Sequence, residues 1–304
     1  MKILHPWIER FRDHLVASGR FEPTTVLDRC ELLYRINDEL PLGLLEATVE
    51  ELEHWMASGR TPARPGRPGT PWCRQTRATY YAHIVCFYRF AADPRRSPHL
   101  SYDPSTSLSR PKVPEGVPNP CSNEELALIL ERASGRYQLY CRLSAYAGLR
   151  AIQICNLMRE DITEETLHVQ GKGGKTIAVP THPMVWDAVR DFPRGPIAIS
   201  SGARGCRVPV PGIRAKPGPV ATATGREIRR ILGYPGISLR NLRHWFATTL
   251  LLEEELGGSG ANLRTVQELM GHSSPSTTAV YTKVVGKQRR IAVSALPPLA
   301  PTSS

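Results

Sequence analysis

The sequence has no apolar run long enough to cross a bilayer, which excludes a membrane-spanning helix. A span needs about 20 consecutive apolar residues, whereas the longest apolar runs here are as short as Leu126–Leu130. No basic start followed by an apolar stretch and a small-residue cleavage site lies near Met1, so we expect no export signal. These absences predict a soluble protein of the cytoplasm with no membrane partner.

Paired cysteines are also lacking. The seven cysteines are scattered, and no two of them have the Cys-x-x-Cys spacing. This pattern argues against a disulfide framework and against a zinc site, and it indicates reduced structural thiols. No carboxylate cluster or Cys/His set indicates a metal, so we expect no cofactor.

Acidic residues are too few to balance the basic ones. There are 28 Asp and Glu against 39 Lys and Arg, with a formal net charge of +11. A positive field of this size concentrates polyanions and favours nucleic acid as a partner. Residues 60 to 77 contain no acidic residue but five arginines, namely Arg60, Arg64, Arg67, Arg74 and Arg77. We expect them to contact DNA phosphates; the alternative is a solvated Pro/Gly loop with ordinary surface charge.

Helical periodicity runs through most of the chain, and 304 residues fit two domains. Before a Pro- and Ser-rich stretch at 103–120, the pattern predicts helices near 7–16, 26–36, 48–56 and 74–92. After it, helices are expected at 221–232, 239–256, 263–270 and 275–284, and Ser122 with Glu125 predicts a capping box that opens the first helix there. We therefore place an N-terminal helical domain at 1–110, a linker at 111–120, a second domain at 121–285 and a tail at 286–304.

One β signal interrupts the second domain. Leu167–Gln170 and Lys175–Val179 flank a Gly-Lys-Gly-Gly turn, which predicts an antiparallel hairpin with Lys172 at its tip. The Gly/Pro-rich segment 194–219 gives no assignment. Gly-Lys-Thr at 174–176 resembles the end of a nucleotide-binding loop, but Val169 stands where that loop requires glycine, so ATP hydrolysis is disfavoured. The expected fold is mainly α-helical with a small antiparallel β-sheet or hairpin.

Four short segments stand out in the C-terminal half. They are Ala147-Gly-Leu-Arg150, Gly171-Lys-Gly-Gly-Lys175, Leu239-Arg240-Asn-Leu-Arg243-His244, and Leu269-Met-Gly-His272 followed by Thr278-Ala-Val-Tyr281. In order and spacing they resemble the catalytic domain of the tyrosine recombinases, also called the phage integrase family. The resemblance runs from about 122 to 284. It implies a core-DNA-binding domain before the catalytic domain, in a short form without an arm-binding domain.

The resemblance implies a role for each matched residue. Arg150 matches the first catalytic arginine, Lys172 the hairpin lysine, Arg243 the second arginine, His272 the following histidine and Tyr281 the nucleophile. Two positions depart from the family pattern.

Arg240 stands where histidine or lysine is common, and Gln153 stands where an acidic residue is common. Because a guanidinium cannot exchange a proton near neutral pH, we carry over to Arg240 only the binding of phosphate.

The implied activity is site-specific recombination of double-stranded DNA at core sites, through a 3′-phosphotyrosyl link and a Holliday junction. Arg150 and Arg243 would form a cationic pocket that favours phenolate, and Lys172 would protonate the leaving 5′ oxygen. The implied assembly is a homotetramer on DNA, with an accessory directionality factor as a further candidate partner.

Three alternatives stay open. The protein is a DNA-binding relative that no longer cuts, a topoisomerase that only relaxes DNA, or the recombinase. The basic tail either packs on a neighbouring protomer or frays.

Overall fold

The computed structural model describes residues 5–59, 70–114, 116–171, 175–201, 209–254, 257–271 and 278–283. Its contacts divide the chain into two compact units, with the division between residues 115 and 116. Both units are mainly helical, which confirms the predicted fold class. In the described ranges, no helix combines the length and apolar character that crossing a membrane requires.

The N-terminal unit is a set of four helices around an apolar core. Their bounds are α1 Pro6–Ser18, α2 Pro23–Glu39, α3 Val49–Ser58 and α4 Arg74–Ala91, followed by a 3₁₀ turn at Pro104–Ser107. Proline opens α1 and α2 because its missing N–H has no helical partner in the first turn. Ile8, Phe11, Leu33 and Phe87 are fully buried in the core between these helices.

The C-terminal unit contains seven helices and four strands among its described residues. The helices are α5 Asn123–Arg132, α6 Gly135–Tyr146, α7 Ala151–Asn156, α8 Pro183–Val189, α9 Pro217–Leu232, α10 Leu239–Leu251 and α11 Leu263–Leu269. A 3₁₀ turn covers Val280–Lys283. The predicted capping box of α5 is confirmed, since Glu125 N donates to Ser122 Oγ and Ser122 N donates to Glu125 Oε2.

The predicted hairpin is confirmed in its strands. β1 Thr166–Gln170 pairs antiparallel with β2 Thr176–Pro180, and Gly171 N donates to Lys175 O where the turn begins. Lys172, at the expected tip, lies outside the described residues. A second antiparallel pair, β3 Ile199–Ser201 with β4 Pro209–Arg214, lies in the segment that the sequence left unassigned.

Two predicted helix boundaries are wrong. α9 begins at Pro217 rather than near residue 221, because prolines are tolerated in a first helical turn. α10 ends at Leu251 rather than near residue 256. The segment after the helix turns back and donates to backbone carbonyls at the helix end: Gly260 N donates to Leu252 O, and Ala261 N donates to Leu250 O.

Candidate active site

One face of α10 carries three of the side chains that build the site. Arg240, Arg243 and His244 are spaced i, i+3 and i+4, which places them on the same side of a helix. The helix starts at a fixed point because Asn241 Oδ1 accepts from Ser238 N at 3.0 Å. Leu239 and Leu242 are buried in the apolar core of the unit and hold the helix in place.

The loop before α7 approaches α10 closely at a glycine. Gly148 has φ +63°, and a Cβ added there would lie 2.6 Å from a ring carbon of Phe246. Any larger residue would therefore push the loop away from α10. The glycine of the Gly-Leu-Arg segment is thus a condition for placing Arg150.

Arg150 stands at the N-terminus of α7. Its backbone N donates to Gln153 Oε1 at 2.9 Å, which fixes the start of the helix. The side chain keeps a large exposed fraction. Protein nevertheless surrounds enough of the guanidinium for lost hydration to lower its pKa, and nearby Tyr281 opposes that shift.

Arg243 is a buried cation that joins two loops. Only 6% of the residue is exposed. Its Nη1 donates to Gly148 O and lies 3.5 Å from Gln153 Oε1, and its Nη2 donates to Met270 O at 2.8 Å. Burial, with a smaller effect of Arg150, lowers the pKa of Arg243 to about 9. The arginine therefore ties together the loop that leads to Arg150 and the end of α11.

Tyr281 lies in the 3₁₀ turn after α11 and is 3% exposed. Its ring belongs to a small apolar cluster with Phe246, Leu251 and Met270. Burial raises the pKa of Tyr281, while Arg243, Arg150 and Arg240 lower it by their charge. The expected cationic influence on the phenol is present, but burial outweighs it, and the hydroxyl is neutral in this state.

His244 links the tyrosine to α10. Its Nδ1 lies 2.9 Å from the Tyr281 hydroxyl, and its Nε2 accepts from Arg240 Nε at 3.1 Å. Burial and the charges of Arg240 and Arg243 lower the pKa of His244 to about 4. The imidazole is therefore neutral at physiological pH.

The structure thus brings four of the predicted residues, Arg150, Arg240, Arg243 and Tyr281, within electrostatic reach of one another. Two others, Lys172 and His272, lie outside the described residues, whereas Gly171 and Gly271, which precede them, are described. Gly271, with φ +59°, ends α11 against Ile177 of β2, where a Cβ would collide with that side chain.

Of the predicted DNA contacts, Arg74 is exposed and Arg77 is half-buried at the start of α4. Arg60, Arg64 and Arg67 fall outside the described residues.

Sequence reasoning missed two residues of the site. The family resemblance assigns no role to His244, although its i+4 spacing from Arg240 indicates that the two side chains share one face of a helix. From the sequence, Gln153 is only a departure from the family pattern. In the structure it caps α7 and approaches Arg243, so an amide here makes contacts that do not require a charge.

Relatives of known function were found over almost the whole chain. The Phage integrase family matches residues 220–287. The tyrosine recombinase XerC of Corynebacterium glutamicum is 31% identical over 309 residues, covering 94% of this chain and 89% of the relative.

Solved structures of lambda integrase have a fold similar to that of this chain. A crystal structure of a lambda integrase dimer bound to a COC′ core site matches with a TM-score of 0.67 and 18% identity, covering 91% of this chain and 94% of that chain. A lambda integrase tetramer bound to a Holliday junction matches with a TM-score of 0.64 and 18% identity, covering 89% and 77%. These likenesses show the fold, and the 31% identity to XerC over 94% of this chain shows that the chain belongs to the tyrosine recombinase family of site-specific DNA recombinases.

Proposed function

We propose that this protein cleaves and rejoins DNA strands with Tyr281 as its nucleophile. The observation that carries the proposal is the position of the Tyr281 hydroxyl, which lies 2.9 Å from His244 Nδ1 and within electrostatic reach of three guanidinium groups. Attack of a hydroxyl on a phosphodiester needs stabilisation of charge on the phosphate oxygens. Arginines supply it with planar, charged donors.

The three arginines have different roles in this proposal. Arg150 and Arg240 are exposed and can donate to the oxygens of a phosphate placed over Tyr281. Arg243 is buried, and its donors hold Gly148 O and Met270 O. Its charge acts on the tyrosine, and it fixes the loops that precede Arg150 and His272.

Lys172 and His272 enter the proposal through the family resemblance. Lys172 protonates the departing 5′ oxygen, and His272 donates to a phosphate oxygen. Their neighbours support this assignment, because Gly271 packs against Ile177 in the hairpin that leads to Lys172. The phosphotyrosyl bond retains the energy of the broken phosphodiester, so rejoining needs no ATP and no cofactor.

The DNA substrate follows from the same assignment. We propose double-stranded DNA with specific core sites, exchanged through a Holliday junction by four copies of the chain, as in the lambda integrase tetramer bound to such a junction. An accessory factor would set the direction of exchange. The site of action is then the cytoplasm of a bacterial cell, at the nucleoid when bound to DNA.

We further propose that the basic segment from Arg60 to Arg77 contacts the DNA backbone. Arg74 is exposed at the start of α4, and Arg77 Nε is buried with no hydrogen-bond partner among the residues that the structure describes, which leave out 60–69. Phosphate contacts release counterions and make binding depend steeply on salt. Replacing Arg74 with alanine should lower the slope of log binding constant against log salt by about 1 if it contacts one phosphate; an unchanged slope removes Arg74 from the interface.

A nicked suicide substrate tests the cleavage chemistry. Loss of the short 5′ fragment prevents rejoining, so the protein should accumulate as a covalent DNA adduct that resists denaturing electrophoresis. Tyr281→Phe should form no adduct, and Tyr234→Phe, at an exposed tyrosine of the same unit, should form it normally. DNA binding without any adduct would support the non-cutting relative, and relaxation of plasmids that lack a specific site would support a topoisomerase.

A further inference from the structure

Two hydrogen bonds in series join Arg240, His244 and Tyr281. Arg240 Nε donates to His244 Nε2 at 3.1 Å, and His244 Nδ1 lies 2.9 Å from the Tyr281 hydroxyl oxygen. His244 is half-buried, and its ring is tilted against that of Tyr281 with 5.4 Å between centroids. The imidazole therefore touches the atom that would attack the phosphorus.

The first of these bonds decides which nitrogen of His244 carries the proton. A guanidinium has donors and no acceptor, so His244 Nε2 must be the unprotonated nitrogen. A neutral imidazole then has its proton on Nδ1, and this N–H points at the oxygen of Tyr281. The low pKa of His244, about 4, keeps the ring in this neutral form at physiological pH.

We propose that His244 is a further catalytic residue, which donates a hydrogen bond from Nδ1 to the phenolic oxygen of Tyr281 and stabilises negative charge on that oxygen. The inference rests on the proposed function, because it matters only if Tyr281 is the nucleophile. Arg240, at a position where the family commonly has histidine, becomes the residue that fixes the tautomer of His244.

The donor acts in both directions of the reaction. In cleavage, the Tyr281 oxygen forms a bond to phosphorus, and the phenolic proton passes to a non-bridging oxygen of the DNA phosphate. The bond from phosphorus to the 5′ oxygen breaks, the 5′ oxygen takes a proton from Lys172, and the proton on the phosphate then restores Lys172. In rejoining, the 5′ hydroxyl attacks, and the phenolic oxygen leaves with the electron pair of its bond to phosphorus. In each direction His244 Nδ1–H holds the oxygen while its charge is greatest.

Burial of the tyrosine makes this donor more important. The Tyr281 hydroxyl has little access to water, so charge on its oxygen depends on donors and cations of the protein. A hydrogen bond to the charged form favours that form and opposes the raised pKa of the phenol. Loss of one preorganised donor of this kind typically costs a factor of about 10² to 10³ in rate.

Two substitutions separate donation from packing. His244→Leu introduces an apolar side chain of similar length, which fills the space of the imidazole but has no N–H to donate. His244→Asn places an amide N–H near the position of Nδ1 and restores the donor without a titratable ring. With the suicide substrate, His244→Leu should cleave about 10²-fold more slowly than the unsubstituted protein, and His244→Asn should recover to within about tenfold of it.

A second substrate isolates the phenolic oxygen. DNA with a 3′-(p-nitrophenyl) phosphate can be joined to a 5′ hydroxyl in a Tyr281→Phe background, where the leaving oxygen belongs to p-nitrophenol. p-Nitrophenolate is a good leaving group that needs little stabilisation, and its oxygen belongs to the substrate and not to residue 281. Adding His244→Leu to Tyr281→Phe should slow this joining much less than His244→Leu slows cleavage by Tyr281, because only the partner of Arg240 is then lost.

Each other result overturns the inference. Cleavage by His244→Leu at the unsubstituted rate would show that the donor is dispensable, and equal defects in the Leu and Asn variants would exclude donation as the cause. An equal loss of p-nitrophenyl joining in the His244→Leu background would assign His244 a structural role. Absence of any adduct from the unsubstituted protein is a separate result that overturns the proposed function itself.

Discussion

The two units differ in what they bury. Among the described residues of the N-terminal unit, the buried polar set consists of Ser105 alone. The described part of the C-terminal unit buries seven polar or charged residues, namely Ser144, Gln153, Thr224, Asn241, Arg243, Thr248 and Thr278. The N-terminal unit is therefore held by apolar contact, whereas the C-terminal unit also needs its buried donors and acceptors to find partners.

Several of these buried groups fix loops around the site. Gln153 caps α7 beside Arg150, and Asn241 caps α10 while its Nδ2 donates to Asn119 O at 2.8 Å. Arg243 binds two loop carbonyls. A buried hydrogen bond adds little net stability but is directional, so these residues serve to position the site more than to stabilise the fold.

The largest effect on stability is expected from the apolar unit. Phe11 is fully buried, and its ring packs edge-on against Phe87 at 5.6 Å between centroids. Phe11→Ala should lower the free energy of unfolding of this unit by about 3–5 kcal/mol, because the change leaves a cavity. Denaturant unfolding measures it.

The matched control is Val16→Ala on the same helix, where the side chain is 63% exposed. It should change the free energy by no more than about 0.5 kcal/mol. Equal effects of the two substitutions would show that the packing of α1 does not stabilise the unit.

For Arg243→Ala we expect a large loss of cleavage rate and a small loss of stability. Strand cleavage should fall by a factor of about 10² to 10³, since a charge beside Tyr281 and the anchor of two loops are both lost. The free energy of unfolding should fall by less than about 2 kcal/mol, because removing a costly buried charge offsets the two lost hydrogen bonds.

Single-turnover cleavage and denaturant unfolding of the same preparation test this contrast. A variant that unfolds as readily as Phe11→Ala, or one that cleaves normally, would contradict the role given to Arg243.

A smaller effect should appear in acid. His83 in α4 and His244 in α10 each have a pKa lowered to about 4, mainly by burial. Unfolded histidine binds a proton near its ordinary pKa of about 6.5. Each residue therefore contributes stability that is complete above pH 6.5 and is lost as the pH falls towards 4, on the order of 1 kcal/mol after allowance for partial exposure.

Unfolding at pH 7 and pH 4.5 measures this loss. His83→Asn and His244→Asn should each lose less stability between the two pH values than the unsubstituted protein does. An identical loss in a variant would show that its histidine does not resist protonation in the folded state.

Much of the fold could be predicted from the sequence, because its signals are local. Capping at Ser122 and the strands on either side of the Gly-rich turn each depend on a few neighbouring residues, and both predictions are confirmed, although residues 172–174 of the turn itself lie outside the described residues. The pair β3 and β4 could not be predicted, since β4 begins at Pro209, and proline is tolerated there only because every strand of a two-stranded sheet is an edge strand. The end of α10 was missed for a similar reason, as distant backbone groups determine it.

The residues of the site also divide into those that the sequence predicts and those that only the structure shows. Motif resemblance selected Arg150, Arg243 and Tyr281, whose proximity the structure shows. It did not select His244, because the bond to Tyr281 joins residues 37 positions apart and becomes visible only when α10 and the final 3₁₀ turn are placed together. The role of Gln153 was hidden for the same reason, since its contact with Arg243 crosses 90 positions.

The most direct test of the central claim is to identify the residue that carries the DNA. After trapping with the suicide substrate, nuclease and trypsin digestion should yield the peptide 265–283, which contains Tyr281 as its single tyrosine. We predict that mass spectrometry will locate the residual nucleotide on Tyr281. A nucleotide on any other side chain would contradict the account.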